Sequence, residues 1–428
     1  MDQIIIQGGQ PLYGEVVVGG SKNDALAIIP AALLVPGKTA LHNVPHISDV
    51  NRLLEILRLL GAKAEYRLDG ALEIDSSHLT THDAPQELVQ QMRASFNLLG
   101  VLLARCGKAA VAMPGGCNIG ARPVNFHIKG LEQLGAKLHL DHGIYMGEVS
   151  HFTGSDLYLE FPSAGATQHL MMAACCARGR TVIENAAQEP EVVNLAQFLN
   201  ACGADIQDAG ASLITINGVP SLHPAEFSIL SDRLQAGTYA IAAAITGGDV
   251  RIKKANPDHC RPILSKLTET GAEVTITEEG IRVRRAGKIY PTDIKTMPHP
   301  GFPTDMQQPF TSLLTLADGV SVVTESVYDG RWRYTTELQR MGADIRVEGL
   351  SAIVTGVSQL TGAHVNCTDL RAGAALVAAG LAAEGETTIS NLEHLDRGYE
   401  NLVENLRGLG ARIARIHEPQ EDRSVERV

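Results

Sequence analysis

Seven cysteines occur among the 428 residues, and one stands apart from the rest. Cys117 lies in Pro114-Gly115-Gly116-Cys117-Asn118-Ile119-Gly120-Ala121-Arg122-Pro123. Two glycines precede the thiol, so the segment reads as a glycine-hinged loop, and a cation follows shortly after at Arg122. A nearby cation lowers a thiol pKa and an exposed loop admits a reactant, which together suit a cysteine to proton transfer or adduct formation. The other cysteines show no CxxC spacing, and several sit in apolar helical runs, where they read as small buried hydrophobes. With no second cysteine or histidine at ligand spacing, no metal is expected; no cofactor is expected either.

A second set of reactive residues stands where apolar helical runs begin. These are Lys22-Asn23, Arg93, Asp232-Arg233, Thr304-Asp305 and Arg371, with Ser163 and Thr167 around the sixth run. Serine, threonine, aspartate and asparagine suit helix starts as caps. Lysine and arginine do not, because a helix N-terminus already carries partial positive charge. Lys22, Arg93 and Arg371 are therefore expected to face a strongly anionic ligand, a phosphate or carboxylate held in one cleft. Asp305, in Gly301-Phe302-Pro303-Thr304-Asp305-Met306-Gln307, reads as a first-turn acid that could also accept a proton once water is excluded.

The elements that must position these groups repeat. An apolar helical run closed by Gly-Ala recurs with its glycine at 61, 135, 203, 271, 342 and 410, a period of 68 to 74 residues. Each unit opens on a nearly charge-free run: Asn23–Leu34, Ala94–Leu103, Ala166–Ala177, Ala236–Ile245, Met306–Leu316 and Ala372–Ala383. A stop glycine (37, 107, 179, 248, 319, 385) follows, then a β-branched stretch, then an amphipathic helix such as Asp49–Leu60, then a strand pair. From stop glycine to Gly-Ala glycine the spacing is 23 to 25 residues in five units. In unit two it is 28, and the excess falls on the Cys117 loop.

Helices apolar on every side are buried helices. The expected fold is therefore α/β: a two-domain, inside-out, barrel-like arrangement of six βαβαββ-type repeats with helices central and sheets outside. The expected division is 22–229 for an N-terminal domain carrying the cysteine loop. Residues 1–21 and 230–416 make the C-terminal domain, closed by the N-terminal strand, and 417–428 form a disordered tail. A hydrophobic fraction of 44% and a charged fraction of 20% describe a soluble globular chain with ample core. The formal net charge of −12 argues against a nucleic-acid partner, and no long apolar span or signal-like start is seen, so a cytoplasmic location is expected.

On these residues the chain resembles the enolpyruvyl transferases, in particular the UDP-N-acetylglucosamine 1-carboxyvinyltransferases. The matching stretches are Ser21–Asn23, Pro114–Pro123 followed by His127–Ala136, Phe161–Thr167, Phe302–Gln307, Asp369–Arg371 and Asp396–Glu400. The resemblance implies two domains closing over substrates and transfer of the enolpyruvyl group of phosphoenolpyruvate to the 3-hydroxyl of UDP-N-acetylglucosamine. Phosphate is released by addition and elimination through a tetrahedral intermediate, as the first committed step of peptidoglycan synthesis.

By motif match, Cys117 is the loop thiol that protonates the enol carbon and that fosfomycin alkylates, and Asp305 deprotonates the sugar hydroxyl. Lys22, Arg122 and Arg397 match contacts to phosphoenolpyruvate, with Lys22 and Arg397 counted among the catalytic groups. Asn23, Arg93, Pro123, Ser163, Gly165, Thr304, Arg331 and Arg371 are the further substrate-binding candidates. Gln235, where many relatives carry glutamate, and Gly330, where many carry asparagine, depart from the pattern and bear on cleft packing and charge. A monomer or weak homo-oligomer is expected, with no nucleic-acid or membrane partner. The related enzyme of aromatic biosynthesis, which takes shikimate 3-phosphate, is the first alternative. A non-catalytic clamp of α/β repeats is the second, and it fits poorly because the cations precede the central helices.

Overall fold

Each Gly-Ala pair closes its helix by the same local geometry. In the computed structural model, which describes residues 2–115 and 124–417, the six glycines have φ between 89° and 103°, the left-handed region that glycine enters without strain. In unit one the Gly61 N–H donates to the Arg58 carbonyl and the Ala62 N–H to the Leu57 carbonyl, both at 3.0 Å. The same pair of bonds closes all six units, a Schellman cap that satisfies two otherwise orphaned carbonyls. The alanine is buried in five of the six units and half-buried at Ala204.

Unit one carries α1 (Lys22–Ala31) and α2 (Ser48–Leu59). Unit two carries a short α3 (Gln86–Gln90), then α4 (Leu98–Cys106) and α5 (Asn125–Gln133). Units three to six carry α6 (Ala164–Ala174) and α7 (Pro190–Ala201), α8 (Arg233–Thr246) and α9 (Pro257–Glu269), α10 (Thr304–Leu314) and α11 (Tyr334–Arg340), and α12 (Leu370–Ala382) and α13 (Leu402–Gly408). The first long helix of each unit is the apolar one: α8 is buried from Arg233 to Ile245 and α12 from Leu370 to Leu381. Helices α8, α10 and α12 pack on one another, and α1, α4 and α6 occupy the equivalent place in the first half.

Two local expectations are corrected. The run at 94–103 begins not as an α-helix but as a 3-10 turn, Arg93–Asn97, because the Ser95 hydroxyl donates back to the Val89 and Met92 carbonyls. In unit four the left-handed residue is Gly247, not Gly248; Gly248 instead lies so close to Leu12 that a Cβ would fall 2.2 Å from its carbonyl oxygen.

Six sheets flank the helices among the described residues, five of four strands and one of three. In a full unit, the strand after the stop glycine pairs antiparallel with the second hairpin strand and parallel with a strand from elsewhere; Arg180–Glu184, for example, pairs with Leu213–Asn217 and with Asp156–Tyr158. In unit six a strand from the other end of the chain takes the place of the second hairpin strand. The N-terminal strand Asp2–Gln7 fills that place, antiparallel to both Glu386–Ser390 and Arg412–His417. Left empty, the position would expose two strand edges. His417, expected in the tail, still pairs with Asp2; the rest of that tail lies outside the described residues.

Two hydrophobic cores result. One runs from Ala25 to Ile229; the other joins Ile4–Val18 to Leu234–Ile413. The chain passes between them twice, and the two crossings lie side by side. Gly20 bridges Ser231, the Ser21 N–H donates to the Leu230 carbonyl at 2.7 Å, and the Lys22 N–H reaches the Asp232 carboxylate at 3.3 Å. None of the described helices is long and apolar enough to cross a membrane.

Candidate active site

The polar residues expected at helix starts stand there. Lys22 opens α1 behind the cap Ser21, Arg233 opens α8 behind Asp232, and Arg371 is the second residue of α12 behind Asp369. Asp369 accepts the N–H groups of Arg371 and Ala372 at 2.9 and 3.1 Å. Ser163 caps α6, Arg93 opens its 3-10 turn half-buried, Asn23 is exposed, and Thr304 and Asp305 begin α10. Cys117, Arg122 and Pro123 lie outside the described residues. The near edge of their loop is described: a Cβ on Gly115 would fall 2.0 Å from the Gln90 carbonyl oxygen, next to the Gln91 carbonyl that Arg397 reaches at 3.4 Å.

What repays the cations is not left to a ligand. Asp49, in the first turn of α2, lies between Lys22 at 2.8 Å and Arg397 at 3.0 Å, with Arg52 at 3.3 Å. Its side chain is only 1% exposed. Burial alone would raise this carboxyl, but Lys22 and Arg397 outweigh it and hold it below the ordinary range. Burial in turn pushes the Lys22 ammonium down, against the pull of Asp49. The expectation that only an anionic visitor could balance Lys22 and Arg371 is thus corrected: the fold supplies one carboxylate to each.

Arg371 meets Asp305. The Asp305 carboxylate accepts from Arg371 Nε and Nη2 at 3.3 and 3.2 Å, and its other oxygen pairs with Arg331 at 2.8 Å. Both guanidiniums are buried, whereas the Asp305 side chain is 26% exposed. Burial would raise the Asp305 carboxyl, yet Arg331 and Arg371 hold it well below the usual carboxylate range. In this state Asp305 is ionised and a weak base.

A second layer fixes these guanidiniums. Arg371 donates to the Tyr399 hydroxyl at 3.1 Å and lies over its ring. Thr238 donates to the Leu234 carbonyl, so the 2.8 Å contact between Tyr399 and Thr238 is donated by the tyrosine. Arg331 donates to Thr304 at 2.8 Å, and Thr304 donates to Glu325 at 2.8 Å. The two cores are also joined by Arg233 to Glu191 at 3.0 Å, both buried. Gln235 is buried, its Nε2 without a partner among the described residues, and Gly330 is exposed beside Arg331. No cluster of three or more potential metal ligands occurs among the described residues.

Sequence reasoning missed Asp49, Glu191, Glu325 and Tyr399 as members of this cleft. Asp49 reads as an ordinary first-turn acid, and its one signal is position: it sits between Ile47 and Val50, both buried.

The family described as EPSP synthase (3-phosphoshikimate 1-carboxyvinyltransferase) matches residues 6–406. A UDP-N-acetylglucosamine 1-carboxyvinyltransferase of Trichormus variabilis is 51% identical over 96% of this chain and 93% of its own. One from Caldanaerobacter subterraneus is 49% identical over 98% and 100%, and one from Staphylococcus aureus 50% over 98% and 100%. Among solved structures, the enolpyruvyl transferase NikO of Streptomyces tendae superposes with a TM-score of 0.88 at 26% identity, over 98% of this chain and 99% of its own. EPSP synthase of Acinetobacter baumannii superposes at 0.77 with 19% identity, over 97% and 100%, a likeness of fold alone. With near-complete relatives at half identity, the six-unit fold and a cleft of paired carboxylates and guanidiniums, this chain belongs to the UDP-N-acetylglucosamine 1-carboxyvinyltransferase family of enolpyruvyl transferases.

Proposed function

We propose that this cleft carries out the family reaction through the residues assembled at its helix starts. The enzyme transfers the enolpyruvyl group of phosphoenolpyruvate to the 3-hydroxyl of UDP-N-acetylglucosamine and releases phosphate. The observation that carries the assignment of roles is Asp305, a carboxylate partly open to the cleft and flanked by two buried guanidiniums. Phosphoenolpyruvate brings a phosphate and a carboxylate. As these draw the charge of the neighbouring cations, Asp305 loses part of what holds its pKa down and becomes basic enough to take the sugar hydroxyl proton. Cys117 delivers a proton to the methylene carbon, forming the tetrahedral intermediate. Loss of a methyl proton and departure of phosphate against the cationic wall complete the transfer.

Lys22 and Arg397, with Arg122, bind phosphoenolpyruvate in this reading, and Asp49 acts as the internal anion that keeps Lys22 and Arg397 in place. Asn23, Arg93, Pro123, Ser163, Gly165, Thr304, Arg331 and Arg371 contact substrate or line the cleft. The two cores are the two domains, 22–229 against 1–21 with 230–416, and their closure excludes water from the activated enol ether. A cytoplasmic location is part of this reading. Phosphate release in the presence of phosphoenolpyruvate tests the assignment, with UDP-N-acetylglucosamine and shikimate 3-phosphate compared as acceptors. Turnover with the nucleotide sugar alone is expected; release with shikimate 3-phosphate alone would overturn it.

A further inference from the structure

Two histidines outside the ion-pair cleft form a buried chain of hydrogen bonds whose direction is fixed at one end. The backbone N–H of Gly100, in α4, donates to His169 Nε2 at 2.7 Å. A backbone N–H can only donate, so this ring nitrogen carries no proton. In the neutral ring the proton then sits on Nδ1, which lies 2.8 Å from His127 Nδ1. His127 must accept at Nδ1 and therefore carries its own proton on Nε2.

Packing holds both rings in this relation. Phe96 makes a T-shaped contact with each, at 5.5 Å from His127 and 5.8 Å from His169 between ring centres. The backbone reaches His169 only because residue 100 is glycine: a Cβ there would fall 2.6 Å from Nε2. Burial pushes His169 down to about 3, and burial, His169 and Arg93 push His127 well below its ordinary value, so both rings stay neutral.

The protonated edge of His127 faces the start of α6. A Cβ on Gly165 would lie 3.6 Å from His127 Cε1 and 3.8 Å from Nε2, two residues beyond the cap Ser163. We infer that His169 is a positioning residue that locks His127 in its Nε2–H tautomer, so that His127 offers a fixed donor to an acceptor oxygen of the nucleotide sugar at the α6 start. The placement of the nucleotide sugar rests on the function proposed above; the tautomer does not.

Nitrogen-15 NMR of histidine in the free enzyme reads the tautomer directly, with the His127 signals assigned by their loss in His127→Asn. The expected result is Nε2–H at His127 and Nδ1–H at His169, with His127 not titrating down to pH 5. His169→Leu removes the donor, so His127 should become a mixture of tautomers, and the KM for UDP-N-acetylglucosamine should rise about tenfold, more than kcat falls. His169→Gln can accept from Gly100 and donate to His127, and it should restore both readouts; it also keeps the test decisive if the leucine variant does not fold. An Nδ1–H tautomer at His127 in the wild type, or a KM equally raised in the leucine and glutamine variants, would overturn the inference. Absence of turnover with UDP-N-acetylglucosamine in the wild type would sink the function while leaving the tautomer result to stand by itself.

Discussion

Asp49 and Asp305 are the same residue type in the same place, the first turn of a helix, and each is flanked by two long cations. They differ in what is left over. Asp49 is 1% exposed and both oxygens are taken up by Lys22 and Arg397, with Arg52 adding a third cation. Asp305 is bound by Arg331 and Arg371 but keeps 26% of its side chain open. The first carboxylate is consumed by the protein and serves to hold cations still. The second retains access to a reactant.

Asp24 gives the limiting case. It too lies in a first turn, fully buried, but its partners are neutral: the Asn194 amide at 2.6 Å and the Leu230 N–H at 2.8 Å. Without a cation, burial lifts its pKa to about 8. Helix position is common to all three; the neighbouring charges set the protonation state.

The comparison can be broken most sharply at Asp305 and Cys117. Asp305→Ala should lower kcat by about 10²- to 10⁴-fold, the range of a lost general base, while nucleotide-sugar binding persists. Cys117→Ala should lose most turnover and all fosfomycin labelling. Mass mapping of the wild type should find the adduct at Cys117 and none at Cys106, an exposed residue, or at Cys202 and Cys260, whose thiols burial pushes up to about 12. An adduct on any of these, or full activity in Cys117→Ala, would remove the loop from the mechanism.

Asp49→Asn should act differently, leaving two cations without their buried partner. A loss of about 3–5 kcal/mol in unfolding free energy is expected, because breaking one side of a buried pair strands the other charge. Denaturant titration measures it. If Asp49→Asn and Asp305→Ala lost stability and rate in the same proportion, the distinction between anchor and reactant would fail.

Lys22→Ala and Arg397→Ala should each lower kcat/KM for phosphoenolpyruvate by about tenfold or more, since a charge-assisted contact is worth about 1.5–3 kcal/mol. Steady-state kinetics with varied phosphoenolpyruvate would show it, and unchanged values would leave these cations with a structural part only.

The smallest effect concerns Asp24. Its folded-state pKa is raised, so the stability it contributes is fully present below about pH 4 and is lost as pH rises to about 8. Asp24→Asn, which stays neutral, should therefore gain in Tm over the wild type as pH goes from 5 to 9. A pH-independent difference would show that Asp24 is paired with something other than these neutral partners.

Much of the fold was legible because its rules are local. The Gly-Ala caps depend on bonds spanning three and five residues, so they mark the sequence wherever they occur. The all-apolar runs announce buried helices, and they do so without reference to any partner. Even the correction at 93–97 is local, a serine bonding back to the preceding turn. The residues of the cleft were legible as types at helix starts, and family resemblance added Arg331 and Arg397, which lie at no helix start.

Their pairing was not. Asp49 and Arg397 are 348 residues apart in the chain, Asp305 and Arg371 are 66, and the two bonded histidines are 42. A carboxylate in a helical first turn looks the same in sequence whether its neighbours are two guanidiniums or an asparagine. Sequence determined the six helix-closing turns, the buried helices and the polar groups at their starts, because backbone bonding and hydrophobic periodicity act over a few residues. Tertiary structure alone decided which charges meet, and with that which carboxylate is buried as an anchor, which stays open to react and which keeps its proton, because Coulomb energy and desolvation depend on distance and burial rather than on order along the chain.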